Sequence, residues 1–273
     1  MIFFGSKEKP EDLIYQAMSR MKKNQPKAAI PLFNQALKQE PKNLEALHNK
    51  GLALNKIRKY SDAITCFDTI LKINPKDAPA LSNMAIAQAE LGNTQDAVEN
   101  YDKAIEADSK YSAAHFNKGV LFHRLGSDED AISCLEEAIK IDPKKTNARF
   151  YKGIVLGKMG KHEQALNCFE NVCRSNPRNL DAIFHKGIEL TELQKHDKAI
   201  RIFDDLLRKQ KENVNLIYAK ARSMAALDEI GLALELLKKA ISKDPKTIRK
   251  WAKDEKIFER FHDDEQFRKL VKL

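Results

Sequence analysis

A chain of 273 residues that is 42% apolar, 32% charged and +9 in net charge has the make-up of a soluble folded protein, and it holds no apolar run of the roughly 20 residues a membrane helix needs. Its opening Met-Ile-Phe-Phe is too short for a signal-peptide core and meets Gly5-Ser6-Lys7 at once, so a cytoplasmic location is expected. Four cysteines make no disulfide framework at this length, and Cys168 and Cys173, five apart, match no zinc or redox spacing.

From residue 10 onward the elements recur. Pro41, Pro75, Pro143, Pro177 and Pro245 lie on a 34-residue grid whose other two slots hold Ser109 and Lys211. A second grid is alanine throughout, at Ala29, Ala63, Ala97, Ala131, Ala165, Ala199 and Ala233. A third is large and apolar, at Phe33, Phe67, Tyr101, Leu135, Phe169, Phe203 and Leu237. A fourth is Gly or Ala, at Ala17, Gly51, Ala85, Gly119, Gly153, Gly187 and Ala221. Independent grids of one period mark a repeat protein. After a short segment 1–9, the units run 10–43, 44–77, 78–111, 112–145, 146–179, 180–213 and 214–247, and a differently patterned tail, 248–273, closes the chain.

Each unit divides into two amphipathic helices. In 112–145 the first carries Phe116, Val120, Leu121 and Leu125 and breaks at Gly126-Ser127. The second, with Asp128 as its expected cap, runs through Ala131, Ile132, Leu135, Ala138 and Ile139 to Asp142-Pro143, where proline stops it and the next unit begins. Cys66, Cys134 and Cys168 sit at multiples of 34, each just before a third-grid residue, which assigns them to packing rather than reactivity.

A glycine inside a helix costs roughly 1 kcal/mol relative to alanine, so Gly51, Gly119, Gly153 and Gly187 need an offsetting gain. With no Cβ there and alanine on the facing helix, the two axes can approach to about 8 Å, and the large third-grid residue fills the adjoining space. The lysine before each of these glycines (Lys50, Lys118, Lys152, Lys186) makes no phosphate loop, because such a loop needs glycines ahead of the lysine at the opening of a helix, where backbone N–H groups are unpaired.

Charge is unevenly spread. Residues 78–145 carry twelve acids against seven bases, whereas 146–179 carry six bases against two acids. A protein that tracks a nucleic-acid backbone would present one continuous basic stripe, so the distribution argues against a nucleic-acid partner. The seven histidines are scattered, and no nucleophile elbow, metal-ligand cluster or paired carboxylates in an apolar setting occur; neither enzyme activity, cofactor nor metal is expected.

With Gly or Ala in the eighth slot of each unit, Ala in the twentieth, an aromatic residue or Leu in the twenty-fourth and Pro in the thirty-second, the chain resembles the tetratricopeptide repeat (TPR) family over about nine tenths of its length. The Asn-Lys-Gly wording is similar to members of prokaryotic, archaeal type. The resemblance implies an all-α fold, a right-handed α-solenoid of stacked helix-turn-helix repeats. It also implies a C-terminal helical cap, in which Trp251, Phe258, Phe261 and Phe267 pack on the last repeat.

The function it implies is a non-enzymatic scaffold that holds a peptide or helix of another protein in a concave groove lined by the first helices. The family's groove slots are the second, fifth, sixth, ninth, twelfth and thirteenth, and they share one arc of the helical wheel, opposite the recurring lysine. Carried onto this chain, the richest stretch is Phe116, Asn117, Val120, His123 and Arg124, then Phe150, Tyr151, Ile154 and Lys158, then Phe184, His185 and Ile188. Aromatic and branched side chains beside Arg124 and Lys158 suit an apolar peptide that also presents a carboxylate. A plainer role for the fifth-slot rings is packing against their own repeat. The carboxylate clamp of the chaperone-binding subset is not matched: Asn49, Asn83 and Asn117 fit one of its positions, but its fifth-slot Lys and ninth-slot Asn are missing. The recurring lysines, Lys50, Lys118, Lys152, Lys186 and Lys220, should lie near the seam between repeats or at the back of the first helix, snorkelling over apolar surface. Other readings are an RNA-associated helical repeat and an assembly subunit that docks through its convex face or its ends, the Met1–Phe4 start included.

Overall fold

A computed structural model describes residues 8–272, so the Met1–Phe4 start lies outside the described residues. The chain forms two compact units, which divide after Pro143. Among the described residues there is no strand, and no helix is long and apolar enough to cross a membrane.

The first unit holds four helix pairs: α1 (Pro10–Lys22) with α2 (Pro26–Gln39), α3 (Leu44–Lys56) with α4 (Tyr60–Ile73), α5 (Ala78–Glu90) with α6 (Thr94–Ala107), and α7 (Ser112–Leu125) with α8 (Asp128–Ile141). The second holds α9 (Thr146–Lys158) with α10 (His162–Ser175), α11 (Leu180–Glu192) with α12 (His196–Lys209), and α13 (Val214–Ala226) with α14 (Ile230–Lys243). It ends in α15 (Pro245–Asp254), a 3₁₀ segment (Lys256–Phe261) and α16 (Glu265–Val271). Within each unit, successive pairs also pack on one another.

Local chemistry sets the helix ends. Asn43, Asp77, Asn179 and Asn213 each accept a hydrogen bond from the backbone N–H three residues on, which caps α3, α5, α11 and α13. The turn from first to second helix uses a left-handed residue in every pair: Asn24, Arg58, Gly92, Gly126, Gly160, Gln194 and Asp228, with φ between 57° and 87°. Asp128 does not cap α8. It is the first helical residue, the cap position falls on Ser127 with no side-chain bond, and the Asp128 carboxylate is instead 2.8 Å from His123 Nδ1. Pro245 likewise does not end the array: it starts α15, where its missing N–H would be unpaired anyway, and Asp244 caps that helix.

The core sits where the grids place it. All seven second-grid alanines are fully buried, and the third-grid residues are no more than 2% exposed. Close approach at the fourth grid is direct. A Cβ on Gly51 would lie 2.6 Å from Phe67 Cζ, and one on Gly187 would lie 2.6 Å from Phe203 Cε1. Three of the recurring lysines, Lys118, Lys186 and Lys220, reach across the seam to the preceding pair, and snorkelling is only part of their role, because they end in ion pairs: Lys118 with Asp102 at 2.5 Å, Lys186 with Glu170 at 3.0 Å, Lys220 with Asp204 at 2.6 Å. Cys66 and Cys168 are buried and Cys134 is half-buried, all as free thiols, and burial pushes the Cys66 and Cys134 thiols up.

In the tail, Phe258, Phe261 and Phe267 are buried and pack with Ile217, Tyr218, Leu237 and Ile241. Trp251 differs from the expectation for a cap residue. It remains 40% exposed and leans on Tyr218 at a tilt, ring centroids 5.4 Å apart.

Candidate protein-binding groove

In the first unit, α7 carries Phe116, Asn117, Val120 and His123 half-buried and Arg124 exposed. Their polar members are not waiting for a ligand in equal measure. His123 is paired with Asp128, and Arg124 Nη1 lies 2.5 Å from Glu90 Oε1 on α5, so the guanidinium expected to meet a ligand carboxylate already meets one of the chain's own. Asn49 and Asn83, in the sixth slots of their helices, donate to the carbonyls of Glu45 and Pro79 one turn back.

In the second unit, α9 presents Phe150, Tyr151 and Ile154 half-buried and Lys158 exposed, and α11 presents Phe184, His185 and Ile188 half-buried. These side chains form one connected surface. Phe150 meets Phe169 beneath it at 5.6 Å and His185 on the next helix at 5.5 Å, edge to face in both cases. His185 stacks on Phe169 at 5.3 Å and touches Phe184 at 5.4 Å, while Phe184 rests on Phe203 at 6.2 Å. Packing against the twenty-fourth slot of their own pair is therefore real, and Phe150, Phe184 and His185 nonetheless stay half-buried, whereas Phe169 and Phe203 beneath them are fully buried. Desolvation holds the His185 imidazole below its ordinary pKa, so the surface leans towards a neutral, apolar state.

Two cavities of about 260 Å³ open on this surface. One lies among Phe184, His185, Leu206 and Leu216, the other among Ile154, Gly157, His185, Ile188 and Glu189. Glu189 escaped the sequence reading. It is 5% exposed, its carboxylate accepts from His162 Nδ1 at 2.8 Å, and burial pushes its pKa up while the His162 bond pulls it back. Gly157 makes the room: a Cβ there would stand 2.5 Å from Glu189 Oε1. A helix-interior glycine that obeys none of the grids was the one signal available.

The tail closes the groove slots of α13. Tyr218, in the fifth slot, is 6% exposed, and its hydroxyl donates to Glu255 at 3.4 Å. Arg222, in the ninth, lies between Glu192 at 2.7 Å and Glu255 at 2.9 Å. The groove surface of the second unit thus ends at the chain's own segment, and α9 and α11 carry what stays open.

Family models of the tetratricopeptide repeat match the sequence over residues 83–146 and 152–213, and over 20–89. No curated protein matches it at a significant level. Among solved structures, the chain is similar to a tetratricopeptide repeat protein of Parabacteroides merdae, at 19% identity and TM-score 0.62 over 97% of this chain and 99% of that one. It is similar to YrrB, described as a TPR protein with an unusual peptide-binding site, at 24% identity and TM-score 0.60 over 69% of this chain and 97% of that one. PilF of Pseudomonas aeruginosa aligns at 14% identity and TM-score 0.65 over 76% of this chain and 94% of that one. At these identities the likeness is one of fold.

Proposed function

The chain belongs to the tetratricopeptide repeat family, and on that premise we propose that it is a non-enzymatic scaffold whose α9 and α11 hold an apolar segment of a partner protein. The observation that carries this reading is the connected, half-open surface of Phe150, Ile154, Phe184, His185 and Ile188 with a cavity on either side of His185. Aromatic rings that are anchored by packing yet only half-buried add contact area with little loss of side-chain freedom. YrrB, with its peptide-binding site, supports the reading by analogy of fold. Of the two cations expected to meet a ligand carboxylate, Arg124 is already engaged by Glu90, so the apolar ledge and not a charge pair carries the proposal.

Purified protein and a Phe150→Ala/Phe184→Ala variant, both verified as folded by circular dichroism, are used in parallel to capture partners from native lysate, with and without nuclease. The captured protein is then titrated against each. Affinity should fall at least about tenfold in the variant. Equal affinity would show that the groove is the wrong surface, and nuclease-sensitive capture that weakens steeply with salt would favour an RNA-associated role instead.

A further inference from the structure

On the 100° helical wheel, Lys186 and Leu190 of α11 project away from the groove slots, and on that side the second unit has another cleft, about 490 Å³ in volume. Its apolar floor is Leu190, buried, with Leu166 and Ile202, half-buried. Its rim is Lys195, Lys198 and Arg201, all exposed and spaced three residues apart, so that they share one side at the start of α12. Lys186 at the back of the cleft is neutralised by Glu170 at 3.0 Å. Among the described residues, none of the three rim side chains makes an ion pair. Of the acids on α12, Asp197 is exposed in the first turn beside Lys198 and leaves the rim with a net positive charge, while Asp204 pairs with Lys220 at 2.6 Å and Asp205 with Arg208 at 3.0 Å.

These cations stand against local electrostatics. Lys195 occupies the cap position of α12 without a side-chain cap bond, and Lys198 lies in the first turn, where the positive end of the helix dipole disfavours positive charge. The fold does not call for Lys198 and Arg201. Lysine recurs at the cap position of α4 and α10, as Lys59 and Lys161, but the places of Lys198 and Arg201 hold no base in any other pair: they are Asp96 and Glu99 in α6, Gln164 and Asn167 in α10, and Leu232 and Glu235 in α14. A sequence that adds two cations in one copy of the repeat alone, Lys198 in the first turn and Arg201 one turn on, beside a cleft with an apolar floor, has the form of a binding site.

We propose that this cleft docks an acidic amphipathic segment of a partner protein, with carboxylates meeting Lys195, Lys198 and Arg201 and one or two apolar side chains seated on Leu166 and Ile202. Charge complementarity fixes the sign of the partner, and the apolar floor distinguishes an amphipathic segment from a bare polyanion. The site is on a different face from the groove and does not rest on the groove reading.

The probe is a labelled helical peptide of Glu and Leu, about four turns long, with Leu at every third or fourth position. It is titrated into the full chain by fluorescence anisotropy, beside polyglutamate and single-stranded RNA. The Glu/Leu probe should bind. Its affinity should drop at least about tenfold in Lys195→Glu/Lys198→Glu/Arg201→Glu and on raising salt to about 0.5 M, and it should be unchanged in Phe150→Ala/Phe184→Ala. A Lys195→Gln/Lys198→Gln/Arg201→Gln variant, with the same melting temperature as the parent, carries the test if charge reversal impairs folding. Its affinity should also drop. Polyglutamate or RNA binding as tightly as the Glu/Leu probe, retained binding in the Gln variant, or loss of a self-associated form in either variant would each overturn the proposal, the last by making a second copy the occupant.

Discussion

The fifth slots of the two units differ where their cores do not. In the first unit, α3, α5 and α7 carry His48, Ser82 and Phe116; in the second, α9, α11 and α13 carry Phe150, Phe184 and Tyr218. Beneath them the twenty-fourth slots hold Phe67, Tyr101 and Leu135 in one unit and Phe169, Phe203 and Leu237 in the other, none more than 2% exposed. At Ser82 no ring bridges one helix to the next: the residue is 1% exposed and its hydroxyl has no hydrogen-bond partner among the described residues. Phe150 and Phe184, by contrast, are joined through His185 into a continuous ledge. Repetition therefore fixes how two helices pack and leaves the fifth slot free to differ from pair to pair.

The strongest way to break this comparison is to attack a position both units share. Ala97 and Ala165 are both fully buried on the second grid. Ala165→Asp and Ala97→Asp should each cost more than about 3 kcal/mol, because an unpaired carboxylate is forced into the tightest helix contact. Urea unfolding followed by circular dichroism reads the loss. A parental melt in either variant would mean that the grid does not mark the core of that unit.

A smaller effect separates glycine from alanine in the eighth slot. The pair of α5 and α6 accepts a methyl there at Ala85, clustered with Tyr101, whereas a Cβ on Gly153 would stand 2.8 Å from Phe169 Cζ and 3.2 Å from Cys168 Cβ. Alanine gains roughly 1 kcal/mol in helix propensity, but the Phe169 ring is fully buried under Phe150 and His185 and cannot swing clear. Overpacking of about 1–3 kcal/mol should outweigh the gain, so Gly153→Ala is expected to lower the thermal midpoint. A rise would show that the ring has room to move.

Helix type, pairing and core were legible because each rests on a residue type recurring at a fixed interval. The left-handed turn is equally periodic and was not legible, since Asn24, Arg58, Gly92, Gly126, Gly160, Gln194 and Asp228 share a backbone conformation without sharing a side chain. Arg58 and Gln194 adopt it only because the helices on either side dictate the turn, overriding a local cost of about 1–2 kcal/mol. The lysine slots were placed correctly at the seam, but their acids lie sixteen residues earlier on a different helix, as in Lys118 with Asp102, and no single helical wheel brings the two together. In the candidate site, the positions of Phe150 and Phe184 followed from the resemblance. The burial of Glu189 at Gly157 and the closure of Tyr218 by Glu255 did not, because both depend on contacts between segments with no shared periodicity.

The finest way to sharpen the comparison is acidity, because each unit has a histidine whose pKa burial lowers, His48 beside Phe67 and His185 on Phe169. An unfolded histidine takes up a proton near its ordinary value of 6.5, while the folded ring resists until the pH is lower. In that interval the unfolded chain binds more protons, so stability is full above about pH 6.5 and is lost as the pH falls towards the folded value. Glu189 has the opposite sign: its raised pKa means that the folded chain takes up the proton first, which favours the fold on acidification. The two partly cancel in the parent protein. His185→Phe isolates one of them, since the ring stays and the titration goes. The thermal midpoint of this variant should fall less than the parent's between pH 7 and pH 5, with the slope from His48 and from His196, which burial also lowers, left in both. Parallel pH profiles would mean that His185 is hydrated in solution, and with it the surface between Phe150 and Phe184, which would weaken the case for an apolar ligand there more directly than any change in stability.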